Sequence, residues 1–483
     1  MIESNKALDK LQLFYVDGKW ETPTSKERFS FINPATEASI GTLALANAAD
    51  VEKVVTAATI AFRDYRHSSI EERIDLLQKI LEIYTQRVDD FATAISMEMG
   101  APIDFARSSQ AQAGIDHLTA LIENVKGYAF ERRLRNGDTI VMEPIGVCGL
   151  ITPWNWPINQ IVLKVAPALA AGCSMVLKPS ELTPLSAILF AEVMHEAGVP
   201  DGVFNLIHGL GPVAGAALSN HPDVAMISFT GSTAAGRSII HNSAERIART
   251  TLELGGKSPN LVFADCELPT AIDRGIDACF INSGQSCDAA SRMLVERSVY
   301  EQSLEIAREK CERIAVGDPT KPGDHLGPLV SQIQYDRVQA LIACGLEEGA
   351  RCISGGLGQP QDCQVGYFVQ PTIFADVTNS MTIAREEIFG PVLCMMPFDS
   401  EEEAIALAND TAYGLAAYIQ TSDQSRAQRV ARLLRSGSVN INQSYLAPGS
   451  PFGGYKLSGN GREGGSEGMN EYLEVKVIAS SFQ

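Results

Sequence analysis

Short apolar runs that alternate with helical stretches constrain the fold of this chain more than any other feature. In the first half the runs lie at 145–151, 174–177, 203–207 and 225–229. Strands separated by helices build parallel sheets from βαβ units. We therefore expect an α/β fold in which this half forms a nucleotide-binding sheet.

A second set of apolar runs follows residue 259 and predicts a second α/β domain. The runs lie at 260–263, 293–296, 392–396, 417–420 and 438–442, with helical stretches such as 300–315 and 332–348 between them. No linker rich in Pro or Ser separates the halves. We expect an extensive domain interface that contains the functional cleft.

Two further segments have apolar patterns that predict a helix and a strand. The apolar period between Ser69 and Gly100 predicts one long amphipathic helix, which begins with a capping box at Ser69 to Glu72 and ends at Gly100. The tail at 471–478 alternates as an exposed strand does. Because an unpaired edge strand promotes aggregation, we expect this tail to be paired, with another subunit as one partner.

Composition excludes several classes of function. The 39 Lys and Arg against 58 Asp and Glu give a net charge of -19, which repels nucleic acid and anionic membranes. No apolar stretch has the length of a signal peptide or a membrane span. The ten cysteines are scattered without a C-x-x-C pair, so we expect neither a metal site nor a disulfide framework. We expect a cytoplasmic protein with no nucleic-acid or membrane partner.

Two segments offer a nucleophile and a base. Cys287 ends the segment Phe-Ile-Asn-Ser-Gly-Gln-Ser-Cys at 280–287, and Glu253 lies in Leu-Glu-Leu-Gly-Gly at 252–256. Small and amide-bearing neighbours let a substrate carbonyl approach the thiol, and water can reach a carboxylate beside paired glycines. A buried core thiol is the simplest explanation of any single cysteine here. The combination of segments nevertheless predicts an enzyme.

With the Trp-Asn-Trp sequence at 154–156, these segments closely resemble the aldehyde dehydrogenase superfamily. The resemblance extends from about Asn33 to Lys456, with the motifs in the family's order and spacing. It implies two doubly wound parallel-sheet domains plus a small β oligomerisation arm, in a homodimer or homotetramer. The implied boundaries are 1–123 and 144–255 for the dinucleotide-binding domain, 256–466 for the catalytic domain, and 124–143 and 467–483 for the arm.

The resemblance also assigns the chemistry. Cys287 adds to an aldehyde to form a thiohemiacetal, and the Asn155 side-chain amide with the Cys287 backbone N–H stabilises the oxyanion. Hydride transfer to nicotinamide leaves a thioester, which water activated by Glu253 hydrolyses to a carboxylic acid. Lys164 and Glu463 are assigned structural or proton-relay roles. By spacing alone, Asn155 could instead cap the next helix and Glu463 could be a solvated loop acid.

Two glycine clusters and a strand end predict the cofactor site. Glycines at 209–215 and 229–236 let the backbone approach a pyrophosphate, although each could be only a turn. The resemblance places Lys178 and Glu181 at the adenosine ribose, where the acid disfavours a 2′-phosphate, so we expect NAD and leave NADP open. The expected cofactor residues are Ile151, Thr152, Pro153, Trp154, Lys178, Ser180, Glu181, Gly211, Phe229, Thr230, Gly231, Ser232, Gly236, Leu254, Glu387 and Phe389.

The resemblance places the substrate funnel near residues 115–118 and at eight further positions. These are Trp156, Asn159, Gln160, Leu163, Ser286, Asp288, Leu446 and Phe452. No pair of arginines is present there to bind a substrate carboxylate, and Asp288 would repel one. We expect a small aldehyde substrate that is neutral and moderately polar, or cationic.

Two other classes of function fit parts of the sequence. A cysteine-dependent esterase or acyl hydrolase would use Cys287 and Glu253 without a nucleotide. A non-catalytic NAD-binding protein could keep the same fold, because fold alone does not establish activity. The joint presence of Cys287, Asn155 and Glu253 argues against the non-catalytic alternative.

Overall fold

The structure is a computed structural model that describes residues 4–442 and 444–479. Within these residues two large sheets, each flanked by helices, form the two halves of the chain. The α/β class with mainly parallel sheets is therefore confirmed. No helix in this part of the chain has the length and apolar character needed to cross a membrane.

The first sheet has five parallel strands at its centre and antiparallel strands at both edges. In spatial order its strands are Gly459–Asn460, Arg249–Glu253, Val224–Thr230, Val147–Ile151, Ser174–Lys178, Phe204–Leu206, Phe14–Val16 and Lys19–Glu21. The four predicted apolar runs all form strands. Ile151 is paired with Lys178 and Phe229, and Thr230 with Glu253, so the carboxyl ends of four strands meet at one edge. Ligands bind at that edge in doubly wound sheets.

The second sheet is parallel except at one edge. Its strands, in spatial order, are Arg351–Ser354, Thr372–Ala375, Val392–Phe398, Arg292–Glu296, Pro259–Val262, Ala416–Gln420 and Ser438–Ile441. All five predicted runs form strands, but no pattern in the sequence predicted Arg351–Ser354 and Thr372–Ala375. The short strand Gly459–Asn460, which follows this sheet in sequence, pairs with Arg249–Glu253 and connects the two halves.

The helices mostly follow the sequence pattern, with one correction. The expected single helix from Ser69 to Gly100 is two helices, Ile70–Gln86 and Val88–Met99, because Arg87 leaves the helical conformation at φ -110° and ψ 12°. The capping box at Ser69 and Glu72 is present, and Gly100 ends the second helix with φ 82°.

The remaining helices pack around the two sheets. They are Ser4–Asp9, Ala48–Tyr65, Ile103–Phe105, Gln112–Lys126, Pro157–Ala171, Pro184–Glu196, Ala216–Asn220, Thr233–Ala244, Leu268–Phe280, Tyr300–Cys311, Gln332–Glu347, Thr382–Arg385, Glu401–Asn409, Gln424–Leu433 and Gly465–Asn470. Single π-helical turns lie at Ala106–Ala111 and Gly211–Gly215, and short 3-10 turns at Ile281–Gly284, Arg297–Val299 and Lys456–Ser458.

Two small antiparallel sheets complete the fold. Arg28–Ile32 pairs with Ser39–Ala44, and the tail Leu473–Ile478 pairs with Thr139–Pro144, which also pairs with Glu131–Arg133. The tail is thus paired within its own chain along one edge. Residues 1–3 and 480–483, which the expected domain boundaries include, lie outside the described residues.

Candidate active site

Cys287 lies in a turn that the preceding residues hold in an unusual conformation. After the helix Leu268–Phe280, Asn282 and Ser283 adopt left-handed φ values of 56° and 57°. Such values cost energy for residues other than glycine and are concentrated at functional sites. Cys287 is partly exposed and lines a cavity of about 890 Å³.

The thiol of Cys287 is protonated at neutral pH in this environment. Burial, together with the charges of Asp288, Glu387 and Glu253, raises its pKa well above the ordinary value of 9.0. The thiolate is the reactive nucleophile of a cysteine. A thiol with this raised pKa would have to lose its proton before it could act as a nucleophile.

The paired glycines after Leu254 bring three segments into contact. A Cβ atom on Gly256 would lie 2.3 Å from the Cys287 carbonyl oxygen, and one on Gly255 would lie 2.2 Å from Glu387 Oε2. At Gly256 the neighbouring atom belongs to the main chain, so only a residue without a side chain fits there. The glycines therefore position the Cys287 turn and Glu387 beside the end of the Glu253 strand.

Glu253 is a buried carboxyl group poised to accept a proton. It ends the strand Arg249–Glu253, is 4% exposed, and neither carboxyl oxygen has a hydrogen-bond partner among the described residues. Burial raises its pKa well above 4.5, and the charge of Glu463 adds to this. An acid with a raised pKa can serve as a general base near neutral pH.

Asn155 points toward the Cys287 turn. Its Nδ2 donates a hydrogen bond of 3.0 Å to the Gln285 carbonyl oxygen, and the residue is 4% exposed. The helix Pro157–Ala171 has Trp156 at its N-cap and receives no side-chain capping bond. The alternative that Asn155 caps this helix is therefore wrong.

Both tryptophans of the Trp-Asn-Trp segment contact elements expected at the reaction centre. Trp156 Nε1 donates to Ser286 Oγ at 2.9 Å. The Trp154 ring lies edge-on to Phe389, with 5.3 Å between centroids and 84° between planes. The segment therefore connects the nucleophile turn to the expected nicotinamide end of the site.

Lys164 and Glu463 form a buried ion pair behind Glu253. Lys164 Nζ donates to Glu463 and to Thr230 Oγ1, the latter at 2.7 Å. The side chains are 1% and 5% exposed, and Glu463 Oε2 has no partner within the described part of the chain. Glu463 is therefore not a solvated loop acid, and Lys164 partly neutralises the charge that faces Glu253.

The expected ribose and pyrophosphate residues surround the carboxyl edge of the first sheet. Lys178 Nζ donates to the carbonyls of Pro179 and Gly209 at 2.8 Å each and lies 3.9 Å from Glu181. Thr152 Oγ1 is buried without a partner in the described structure. An orphaned hydroxyl between strand ends fits a ligand that supplies the missing hydrogen bond.

The second glycine cluster leads into a capped helix. Ser232 Oγ accepts a hydrogen bond from Ala235 N at 3.2 Å, which caps the helix Thr233–Ala244. The helix N-terminus, directly after the strand Val224–Thr230, presents N–H groups that suit a pyrophosphate. Gly236 packs against Leu254, where a Cβ would lie 2.8 Å from the leucine side chain. In the first cluster Gly211 begins a π-helical turn.

Glu387 lies where the nicotinamide end of the cofactor is expected, at the other end of the site from Lys178 and Glu181. Its Oε1 accepts a hydrogen bond of 3.0 Å from Gly256 N, and burial raises its pKa to about 7. Glu386 is exposed. Of the two neighbouring acids, Glu387 is thus the one turned inward.

The eight expected substrate residues line the same cavity as Cys287. They are Trp156, Asn159, Gln160, Leu163, Ser286, Asp288, Leu446 and Phe452. Of the range 115–118, Asp116 and His117 reach the cavity, whereas Leu118 is fully buried in the core. His117 Nε2 lies 2.6 Å from Asn159 Oδ1, and burial lowers its pKa, which keeps the ring neutral.

Sequence reasoning missed several residues that line the cavity, among them Phe105, Tyr418 and Tyr445. Phe105 stacks edge-on against Trp156 at 5.4 Å, and Tyr418 Oη donates to the Asp288 carbonyl oxygen at 3.0 Å. Tyr418 lies in the strand Ala416–Gln420, which an apolar run predicted, but the run gave no signal that its tyrosine faces the cavity.

Comparison with known proteins gives the same family throughout. A sequence model described as "Aldehyde dehydrogenase family" matches residues 20–478. A Pseudomonas sp protein named 3-succinoylsemialdehyde-pyridine dehydrogenase is 49% identical, over 96% of this chain and 98% of that protein.

Two solved structures are similar to this chain in both sequence and fold. Aldehyde dehydrogenase C from Pseudomonas syringae, in a complex with NAD+ and octanal, is 46% identical with a TM-score of 0.96, and 97% of each chain is covered. A betaine aldehyde dehydrogenase from Staphylococcus aureus, in complex with NAD+, is 34% identical with a TM-score of 0.94, again over 97% of each chain.

Proposed function

This chain belongs to the aldehyde dehydrogenase family, and we propose from that premise that Cys287, Asn155 and Glu253 carry out its NAD-dependent oxidation of an aldehyde to a carboxylic acid. One observation carries the assignment of roles. The Asn155 amide donates to the Gln285 carbonyl oxygen, two residues before Cys287. Gly256, three residues after the unpartnered Glu253, packs against the Cys287 main chain, so both side chains belong to segments that meet at the Cys287 turn.

Each step of the reaction has a residue suited to it. The Cys287 sulfur forms a bond to the aldehyde carbon as its proton leaves to solvent in the cavity that the thiol lines. The Asn155 amide and the Cys287 backbone N–H donate to the oxyanion of the thiohemiacetal. Bound NAD would supply the acceptor for the hydride that leaves this carbon. The thioester left on Cys287 is hydrolysed by a water molecule that Glu253 deprotonates.

The residues present fit the cofactor. The carboxyl edge of the first sheet offers the Ser232-capped helix for the pyrophosphate, Lys178 with Glu181 for the ribose, and the orphaned Thr152 hydroxyl. Glu387 and Phe389 would hold the nicotinamide end next to Cys287. The Glu181 carboxylate would repel a 2′-phosphate, which favours NAD over NADP.

Replacing the oxyanion donor tests the assignment. In Asn155→Ala we expect kcat for aldehyde oxidation to fall about 100-fold, because loss of one oxyanion donor commonly has an effect of this order. Production of NADH, followed by absorbance with NAD and an aldehyde, measures kcat. A fall of less than about threefold, with the variant folded, would contradict the role of Asn155.

We propose that the substrate is a neutral, moderately polar aldehyde or a cationic one. Asp288 adjoins the nucleophile, and Asp116 also lines the cavity, whereas the ion pair with Lys164 neutralises Glu463. Two cations also reach the cavity. Asp273 and Asp277 each lie 3.1 Å from the Lys310 amine and neutralise it, and solvent screens the exposed Arg313. Among the relatives, one was solved with octanal, which carries no carboxylate, and another is named for betaine aldehyde, a cation.

The substitution Asp288→Asn tests the charge selection. We expect kcat/KM for succinic semialdehyde, relative to a neutral aldehyde of equal length, to rise about tenfold, because a repulsive charge beside the reaction centre is removed. Asp324→Asn removes the same charge at an exposed position on the cavity rim and should change the ratio less than about twofold, since solvent screens it. Equal effects of both variants would refute selection by Asp288.

We further propose the domain division and assembly implied by the sequence. Residues 1–123 and 144–255 form the dinucleotide-binding domain, residues 256–466 the catalytic domain, and 124–143 with 467–483 the oligomerisation arm. Val475 and Val477 of the tail strand are 61% and 57% exposed, so another subunit in a homodimer or homotetramer would bury apolar surface there. A cytoplasmic location is consistent with the free thiols of all ten cysteines.

A further inference from the structure

One buried side chain behind the nucleophile turn has no role in the mechanism described above. Gln110 is fully buried and lies on the single π-helical turn Ala106–Ala111, directly before the helix Gln112–Lys126. A π-helical turn within a helix is rare, and such turns are frequent at functional sites. The turn directs an amide toward Asn155 and the residues that precede Cys287.

Gln110 donates toward two residues of the site. Its Nε2 lies 2.9 Å from Asn282 Oδ1 and 3.4 Å from the Asn155 carbonyl oxygen, and it also contacts Met99 Sδ at 3.3 Å. The bond to Asn282 is the shortest of these. This bond fixes which way the Asn282 amide faces. When Asn282 Oδ1 accepts from Gln110, Nδ2 of the same amide must face away from Gln110.

Asn282 connects Gln110 to the oxyanion donor. Its Nδ2 donates to the Asn155 carbonyl oxygen at 2.8 Å and to the Gln285 carbonyl oxygen at 3.2 Å. The Gln285 carbonyl also accepts the bond of 3.0 Å from Asn155 Nδ2. The Asn282 amide thus holds the main chain of Asn155 and also the Gln285 carbonyl to which the Asn155 side chain donates, and Gln110 sets the orientation of that amide.

Gln285 encloses the network from the other side. Its Nε2 donates to the Asn282 carbonyl at 3.1 Å, and its Oε1 accepts from Val330 N at 3.0 Å. Because Gln110, Asn155, Asn282 and Gln285 are all buried, a lost donor leaves an acceptor that water does not readily satisfy. Without Gln110, Asn282 would turn to satisfy its oxygen and would release Asn155.

We propose that Gln110 is a positioning residue, which holds the Asn155 amide in place for the oxyanion by fixing the orientation of Asn282. This inference rests on the proposed role of Asn155. Small displacements of a catalytic group lower rates strongly, so the effect of Gln110 appears in aldehyde turnover and not in nucleotide affinity.

The test is a double-mutant cycle between Gln110→Met and Asn155→Ala. Methionine keeps the length of the side chain and removes the amide. We expect kcat/KM for an aldehyde to fall about tenfold in Gln110→Met, with NAD affinity changed less than about twofold. In the Asn155→Ala background the same substitution should lower kcat/KM less than about twofold, because there is no donor left to position.

Gln112→Met is the matched control. Gln112, two residues after Gln110, begins the helix that follows the π-helical turn, and its Nε2 donates to Asp116 Oδ1 at 2.9 Å instead of entering the network. We expect this variant to keep its kcat/KM within about twofold of the wild type.

Three results would overturn the role of Gln110. These are an unchanged kcat/KM in Gln110→Met, an equal fall in both backgrounds, and an equal fall in Gln112→Met. A near-normal rate in Asn155→Ala alone would instead contradict the proposed function of Asn155, on which the inference rests. If Gln110→Met does not fold, Gln110→Leu, which also removes the amide, enters the same cycle with the same criteria.

Discussion

Cys287→Ala should lose aldehyde oxidation by about 10,000-fold or more while it still binds NAD. Loss of the nucleophile removes both covalent intermediates, and loss of an enzymatic nucleophile has effects of at least this order. The expected NAD-binding residues do not include the thiol. Initial rates of NADH formation measure the first effect, and quenching of tryptophan fluorescence by NAD measures the second.

Cys279→Ala is the control for this variant. Cys279 is a fully buried thiol in the preceding helix, and its Sγ lies 3.6 Å from the Val392 carbonyl oxygen. Its loss should lower stability by leaving a small cavity and should leave kcat nearly unchanged. Retention of more than about a tenth of wild-type kcat in Cys287→Ala would contradict the assignment of the nucleophile.

Glu253→Gln should separate the two halves of the reaction. Hydride transfer produces one NADH per active site, and hydrolysis then becomes slow because glutamine cannot deprotonate water. We expect a burst of about one NADH per site, followed by a steady rate about 1,000-fold below wild type, since general-base catalysis contributes factors of this size. Rapid-mixing absorbance measures both phases. A slow steady rate without a burst would show that Glu253 acts before hydride transfer instead of in hydrolysis.

The same residue predicts a pH dependence. Burial raises the pKa of Glu253 well above 4.5, and only the deprotonated form accepts a proton. Hydrolysis in the wild type should therefore decline as pH falls through this raised pKa, at a pH above the range of an ordinary glutamate. In Glu253→Gln the slow residual rate should lack this decline.

Glu98→Gln provides the comparison for a buried acid with a structural role. Burial raises the pKa of Glu98 to about 8, and its carboxylate accepts bonds from Leu185 N and Ser186 N at the start of the helix Pro184–Glu196. We expect its substitution to reduce stability and to leave the ratio of burst to steady rate unchanged. If Glu98→Gln also showed a burst, the burst in Glu253→Gln could not be assigned to the loss of a hydrolytic base.

Most of the parallel strands could be predicted from the sequence because their burial on both faces demands continuous apolar runs, but the buried parallel strand Thr372–Ala375 was missed. The run at 174–177 is fully buried in the strand Ser174–Lys178. The edge strand Arg351–Ser354 is exposed or half-buried and has no such run, so it was missed. The break at Arg87 was missed because the apolar period continues on both sides of it.

The candidate site, like the fold, has features that the sequence predicts and features that it does not. The positions of Cys287, Asn155 and Glu253 could be expected from local motifs. The partners of Asn155 could not, because Gln110 and Asn282 are 172 residues apart and meet only through tertiary packing. The burial of Glu463 was equally hidden, since its ion-pair partner Lys164 is 299 residues away.

The most direct test of Cys287 as the acyl carrier and Glu253 as the hydrolytic base is the mass of the enzyme after a single turnover. Glu253→Gln would be mixed with NAD and an aldehyde, quenched in acid after the NADH burst, and digested for mass spectrometry. We predict that the peptide containing Cys287 gains the mass of the acyl group in an amount equal to the NADH formed. NADH formation with this peptide unmodified, or with the acyl group on another residue, would contradict the mechanism.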